Sequence, residues 1–204
     1  SLVGIVLGIL FCEGIASCLY PVPAAHKLFS PFMNTVFLPD EQTMPGITGG
    51  SRFIVNSSGL RADELSYRHN YKILTVGGST TECLYLDQKE TWPYLLQEKL
   101  NRRQSKYFVW VGNAGKSGLN TRDHIFLLEY LLNELPRPDV IVVLAGVNDF
   151  LMRLYLDKEY DPDFLKNPGQ EGYFLSRVFA EAPAKEAAPF YKRTGLGRLF
   201  QRLM

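Results

Sequence analysis

The chain is 204 residues long, room for one domain with a sizeable core but not for two. Lys+Arg 22 against Asp+Glu 21 leave a net charge of +1, so nucleic-acid binding, which needs a concentrated excess of cations, is excluded as a whole-chain property. A composition of 46% hydrophobic and 21% charged residues excludes intrinsic disorder, and three cysteines, with Cys12 and Cys18 in an apolar stretch, provide neither a disulfide framework nor a zinc site.

Residues 1–22 are expected to form a transmembrane helix. The run SLVGIVLGILFCEGIASCLY carries one charge, Glu13, and no Lys or Arg precedes Lys27. At about 1.5 Å per residue such a helix spans roughly 30 Å, one hydrocarbon core, and Pro21 and Pro23 end it. This reading makes the protein single-pass, in contact with membrane lipid, with its soluble domain on the extracytoplasmic (periplasmic) side. The alternatives are a cleaved signal peptide with a small-residue site at Val22-Pro23-Ala24, a lipobox at Ile15-Ala16-Ser17-Cys18, and a buried soluble helix. Gly4 and Gly8 form a small-xxx-small pair, and Glu13 is a carboxylate that is costly against lipid. Together they point to a transmembrane helix partner.

Residues 23–66 are rich in Pro, Gly and Ser and read as a linker, with a short strand at Phe53-Ile54-Val55-Asn56 and a turn at Ser57-Ser58-Gly59. From residue 67 to 204 the pattern is that of one α/β domain. Strands are predicted over 71–76, 107–111 and 139–145, the last (DVIVVLA) the most apolar. Between them, helical spacing appears over 89–104 (Trp92, Leu95, Leu96, Leu100) and over 121–135 (Phe126, Leu127, Tyr130, Leu131), where Pro136 and Pro138 follow. Alternating strands and helices imply right-handed crossovers, a parallel sheet covered on both faces, and a ligand site outside the carboxyl ends of the strands.

The turns at those ends carry the chemistry. They are Gly77-Gly78-Ser79-Thr80-Thr81-Glu82, then Gly112-Asn113-Ala114-Gly115-Lys116-Ser117-Gly118, then Gly146-Val147-Asn148-Asp149. A hydroxyl nucleophile with backbone and amide donors nearby suits acyl transfer. Gly115-Lys116-Ser117 is not a phosphate loop, because Trp110 stands where the first Gly belongs; Thr81 likewise breaks G-x-S-x-G, and no G-x-G-x-x-G follows the first strand.

Over 71–150 the sequence resembles the SGNH hydrolase superfamily, the GDSL-type lipases and esterases, and the 53–61 stretch is similar to a segment often found upstream. Val76-Gly77-Gly78-Ser79-Thr80-Thr81 resembles the first family block, with Gly78 where Asp is commoner. The resemblance implies a flavodoxin-like three-layer α/β/α domain in which Ser79 is the nucleophile, the N–H groups of Ser79 and Gly118 and the amide of Asn148 hold an oxyanion, and no metal or organic cofactor is used. The family's last block, Asp-x-x-His, supplies the base. None of His26, His69 and His124 follows an Asp by three, so the domain is expected to lack its C-terminal part here, to borrow the base, or to be a pseudoenzyme.

Cys83 reads as a small residue under the site rather than a nucleophile. The run 190–203 reads as an amphipathic helix packed on its own domain, with its basic side leaving a membrane surface or a partner as the alternative. Two functions follow: a membrane-anchored ester hydrolase acting on an acylated saccharide, envelope polymer or lipid, or a non-catalytic accessory subunit of a membrane complex. An acyltransferase or a carbohydrate-binding relative using the same turns is a weaker third.

Overall fold

The computed structural model describes residues 2–19, 26–103, 106–164, 169–180, 194–197 and 199. Helix α1 (Leu2–Leu19) opens the chain. A two-stranded antiparallel ribbon follows, β1 (Asn34–Phe37) on β2 (Ser51–Ile54), with Thr35 opposite Phe53. The domain proper alternates β3 (Tyr71–Gly77), α2 (Ser79–Glu82), α3 (Trp92–Arg103), β4 (Val109–Gly115), α4 (Thr121–Glu134), β5 (Val140–Leu144) and α5 (Val147–Leu156), and α6 (Glu171–Val178) packs against α4.

The three domain strands form one parallel sheet in the order β4-β3-β5. Side-chain alternation along β3 divides its surroundings in two. Leu74 and Val76 join Trp110, Ala114, Phe126, Leu127 and Leu131 in a core beneath α4, which α6 extends with Phe174 and Val178. Ile73 faces the other way with Val109, Val111 and the Leu96 and Leu100 side chains of α3. Helices therefore cover both faces of the sheet at β3 and β4. Asn101 in α3 accepts from the N–H of Val109 and donates to its carbonyl, and Gln97 accepts from Val111 N–H, so side chains satisfy the outer edge of β4. On the opposite side, β5 is exposed along most of its length, as are Phe150, Leu151, Leu154 and Tyr155 of α5.

Several boundaries differ from the sequence reading. The upstream strand lies at 51–54 rather than 53–56, and β1 sits in what reads as linker. Strand β4 starts at Val109, not Tyr107, because Tyr107 and Phe108 turn out to pack on Tyr71 and His69. Among the described residues no helix is long and apolar enough to cross a membrane. The transmembrane helix expected over 1–22 is therefore not found there; residues 1 and 20–22 lie outside the described ones. Glu13 offers a physical reason for reading α1 otherwise: its carboxylate accepts the backbone N–H groups of Gly195 and Leu196, at 2.5 and 3.0 Å. A charge placed to lie against lipid or a foreign helix instead meets the start of a helical turn of the same chain, the favoured place for an anion. The rest of the 190–203 helix falls mostly outside the described residues.

Candidate active site

In the sheet register Gly77 stands beside Gly115 on one side and Leu144 on the other. The three Gly-containing turns consequently leave the sheet in one row, at its carboxyl edge. Ser79 is the first residue of α2, with Gly78 as N-cap and the N–H groups of Thr81 and Glu82 both returning to the Gly78 carbonyl. The first N–H groups of a helix have no partner within it, so the amide of Ser79 is left without an acceptor inside α2. Ser79 is exposed, and its hydroxyl makes no hydrogen bond among the described residues.

A side chain on Gly77, the last residue of β3, would collide with the Thr81 side chain and, at 2.7 Å, with the Leu144 carbonyl. A Cβ on Gly78 would lie 2.8 Å from Asn148 Nδ2, so the Asn148 amide sits directly against the backbone that presents Ser79. Asn148 Nδ2 donates to Leu119 O at 2.7 Å. An amide nitrogen carries two hydrogens, and this bond uses one. Gly118, next to Leu119, has φ +79, the left-handed region that an L side chain enters only with strain, and nothing lies within 4 Å of where its Cβ would be. Ser79, Gly118 and Asn148, which the sequence places on three separate turns, are thus gathered at one sheet edge through Gly78 and Leu119.

Buried polar groups hold this arrangement from below. Asn113 donates to Thr81 O at 2.7 Å and accepts Gly115 N–H at 2.8 Å, tying β4 to α2. Glu82, 4% exposed, accepts both the N–H and the hydroxyl of Ser117. Arg61, 2% exposed, is the largest fully buried side chain. Its guanidinium donates to the carbonyls of Arg52, Glu82, Cys83 and Leu86 and to the Gln88 side chain, and lies over the Phe53 ring at 4.4 Å. Burial pulls its pKa down to about 10, so it remains charged at neutral pH. Sequence reading includes Arg61 in the upstream segment and Glu82 in the first turn, but spacing gives no sign of their contacts.

None of the three histidines bonds to Ser79. His26 packs edge-on against Tyr130 and Phe179, and His69 stacks on Phe108 at 4.6 Å. His124, in the first turn of α4 as expected, is 3% exposed, and neither ring nitrogen meets hydrogen-bond geometry. Burial pushes its imidazole below the usual histidine range, against a smaller opposing pull from the Gly77 carbonyl, Asp123 and Asp149. Cys83 is half-buried with its thiol on Thr80 O, and burial pushes that thiol up, away from the reactive thiolate. Among the described residues no group of three His, Cys, Asp or Glu side chains is arranged to hold a metal ion.

No family model and no curated protein matches this chain. Among solved structures, an SGNH-hydrolase family esterase, AlinE4, overlaps it with a TM-score of 0.38 at 23% identity, over 56% of this chain and 53% of that one. The chain thus spans about half the length of that esterase. A singly substituted form of the same esterase overlaps with a TM-score of 0.37 at 22% identity, over 65% and 68%. Overlaps of this extent carry no argument for the site, which stands on its own geometry.

Proposed function

We propose that the chain carries an ester-hydrolase site of the SGNH type. The observation that carries the reading is the packing of Asn148 Nδ2 and Leu119 O against Gly78, which joins the turn of Ser79 to the two turns bearing the donors. Ser79 Oγ attacks the acyl carbonyl. The N–H groups of Ser79 and Gly118 and the second hydrogen of the Asn148 amide receive the charge that develops on the carbonyl oxygen. The alcohol leaves, and water releases the acid from the acylated serine.

Deprotonation of Ser79 needs a base, and the reading assigns it to an Asp-x-x-His block further along the native chain. The apolar surface of β5 and α5 supports this, since a parallel strand is ordinarily covered on both faces and a continuation of the domain would cover it. The substrate class is an acyl or acetyl ester of a saccharide, an envelope polymer or a lipid, met on the extracytoplasmic side of a membrane. Replacing Ser79 with Ala tests the reading: hydrolysis of a short-chain ester by the native protein is expected to vanish while the fold is kept, and unchanged turnover refutes it.

The histidine placement favours one second reading, a non-catalytic accessory subunit of a membrane complex that keeps the turns for binding. A native protein without Asp-x-x-His that co-purifies with membrane subunits supports it.

A further inference from the structure

The turn that carries Gly118 is gripped from a second side by α6. Arg177 Nη2 donates to the carbonyl of Gly118 at 2.6 Å, while its Nε donates to both oxygens of Asp123, at 2.9 and 3.0 Å. The Asp123 carboxylate is 1% exposed and also accepts the N–H of Asn120, closing the capping box of α4. In the reverse direction, Lys116 Nζ donates to the carbonyls of Arg177 and Val178, the last residues of α6, at 3.2 and 2.8 Å. Five residues of turn and helix start, 116–120, are therefore tied to one end of α6 by reciprocal bonds. Ser117, the neighbour of Gly118, is fixed to Glu82.

We propose that Arg177 is a positioning residue that sets the direction of the Gly118 N–H, with Lys116 as the second arm of the clamp; this rests on the ester-hydrolase reading above. Gly118 has φ +79 and nothing within 4 Å of where its Cβ would be, so no side-chain packing fixes it. Its orientation comes from what holds the peptides on either side. Glu82 holds the preceding residue, Ser117, by its N–H and hydroxyl, and Arg177 holds the peptide that follows, through the Gly118 carbonyl. A donor aimed at a developing oxyanion acts through its preset direction, so a turn free to rotate loses rate rather than substrate affinity. The guanidinium suits the task because its planar fork bonds the carboxylate and the carbonyl at once, which a point ammonium does not.

The experiment compares Arg177→Met, Arg177→Lys and Lys116→Met with wild type and Ser79→Ala in the native protein. It follows p-nitrophenyl acetate hydrolysis and the amide resonances of 15N-glycine-labelled samples. Arg177→Met is expected to lower kcat about 10- to 100-fold with KM nearly unchanged. The Gly118 amide resonance is expected to shift while that of Gly59 stays in place, and millimolar guanidinium should restore part of the rate. Arg177→Lys should recover little, and Lys116→Met, which strands no buried carboxylate, should lower kcat in the same direction and decides the matter if Arg177→Met does not fold. Unchanged kcat and an unmoved Gly118 resonance, beside a wild type that outpaces Ser79→Ala, overturn the positioning role alone. A wild type no faster than Ser79→Ala overturns the hydrolase reading and the catalytic role of the clamp with it.

Discussion

Glu82 and Ser117 lock two turns together: the carboxylate accepts the Ser117 N–H at 2.8 Å and, more closely still, the Ser117 hydroxyl. Glu82 ends the short helix that Ser79 begins, and Ser117 precedes Gly118, so this one pair links the nucleophile's turn to the donor's turn. Glu82 is buried and Ser117 exposed. The pair sets a distance without touching a substrate.

Exchange of Glu82 for Gln keeps the shape and removes the charge from both bonds. A hydrogen bond to a charged group contributes about 1.5–3 kcal/mol, roughly twice a neutral one. Glu82→Gln is expected to reduce stability by about 1–2 kcal/mol, read as a lower urea midpoint with an unchanged slope, and to lower ester turnover with it.

Arg61 is the stronger structural dependence. Its loss leaves four buried or partly buried backbone carbonyls without their donor. Arg61→Met is expected to destabilise by about 3 kcal/mol or more, and Arg61→Lys to recover little, because an ammonium reaches fewer acceptors. Urea unfolding of the three proteins measures both.

His124 gives the fold a pH dependence of definite sign. Burial lowers its pKa in the folded state below the ordinary 6.5, so on acidification the unfolded chain takes up the proton first. The unfolded state then holds more protons than the folded one, and stability falls as the pH drops below 6.5 toward the folded value. His69, lowered mainly by burial too, adds in the same direction. His124→Asn is expected to flatten the decline in urea midpoint between pH 7 and pH 5, leaving the part due to His69; a decline of unchanged steepness counts against the buried neutral imidazole.

Asn148 makes the sharpest kinetic contrast. Removing one oxyanion donor lowers turnover by about 100- to 1,000-fold. Asn148→Ala also frees Leu119 O, a partly buried acceptor, so a stability loss of about 1 kcal/mol accompanies it. Steady-state kinetics should show the loss in kcat with KM little changed.

The sequence announces the parts of this fold that repeat a period. Leu74 and Val76 on β3, and Phe126, Leu127 and Leu131 on α4, follow alternation and helical spacing and do meet in one core. The three turns are legible because their glycines, Ser79 and Asn148 sit directly after apolar runs. Helix α2 is not legible: four residues are too short to show a period, and their helical turn comes from the Gly78 carbonyl. Strand β4 runs on through Gly112-Asn113-Ala114-Gly115 although such residues are poor strand formers, since a Cβ at Gly115 would collide with the backbone of α2. Helix α5 and the bonds of Arg61, Glu82 and Arg177 depend on contacts distant in sequence, which no local pattern encodes. Glu13 shows the converse, a lone charge in an apolar helix whose partner lies 182 residues away.

The central claim is that Ser79 is a nucleophile served by donors from two other turns. Incubating the native protein with a fluorophosphonate and mapping the adduct by mass spectrometry tests it most directly. The account predicts one phosphonyl group on Ser79 and none on Cys83, with labelling slowed by about 100-fold in Asn148→Ala. A wild type that stays unlabelled, or carries the adduct at Cys83 with Ser79 untouched, contradicts it.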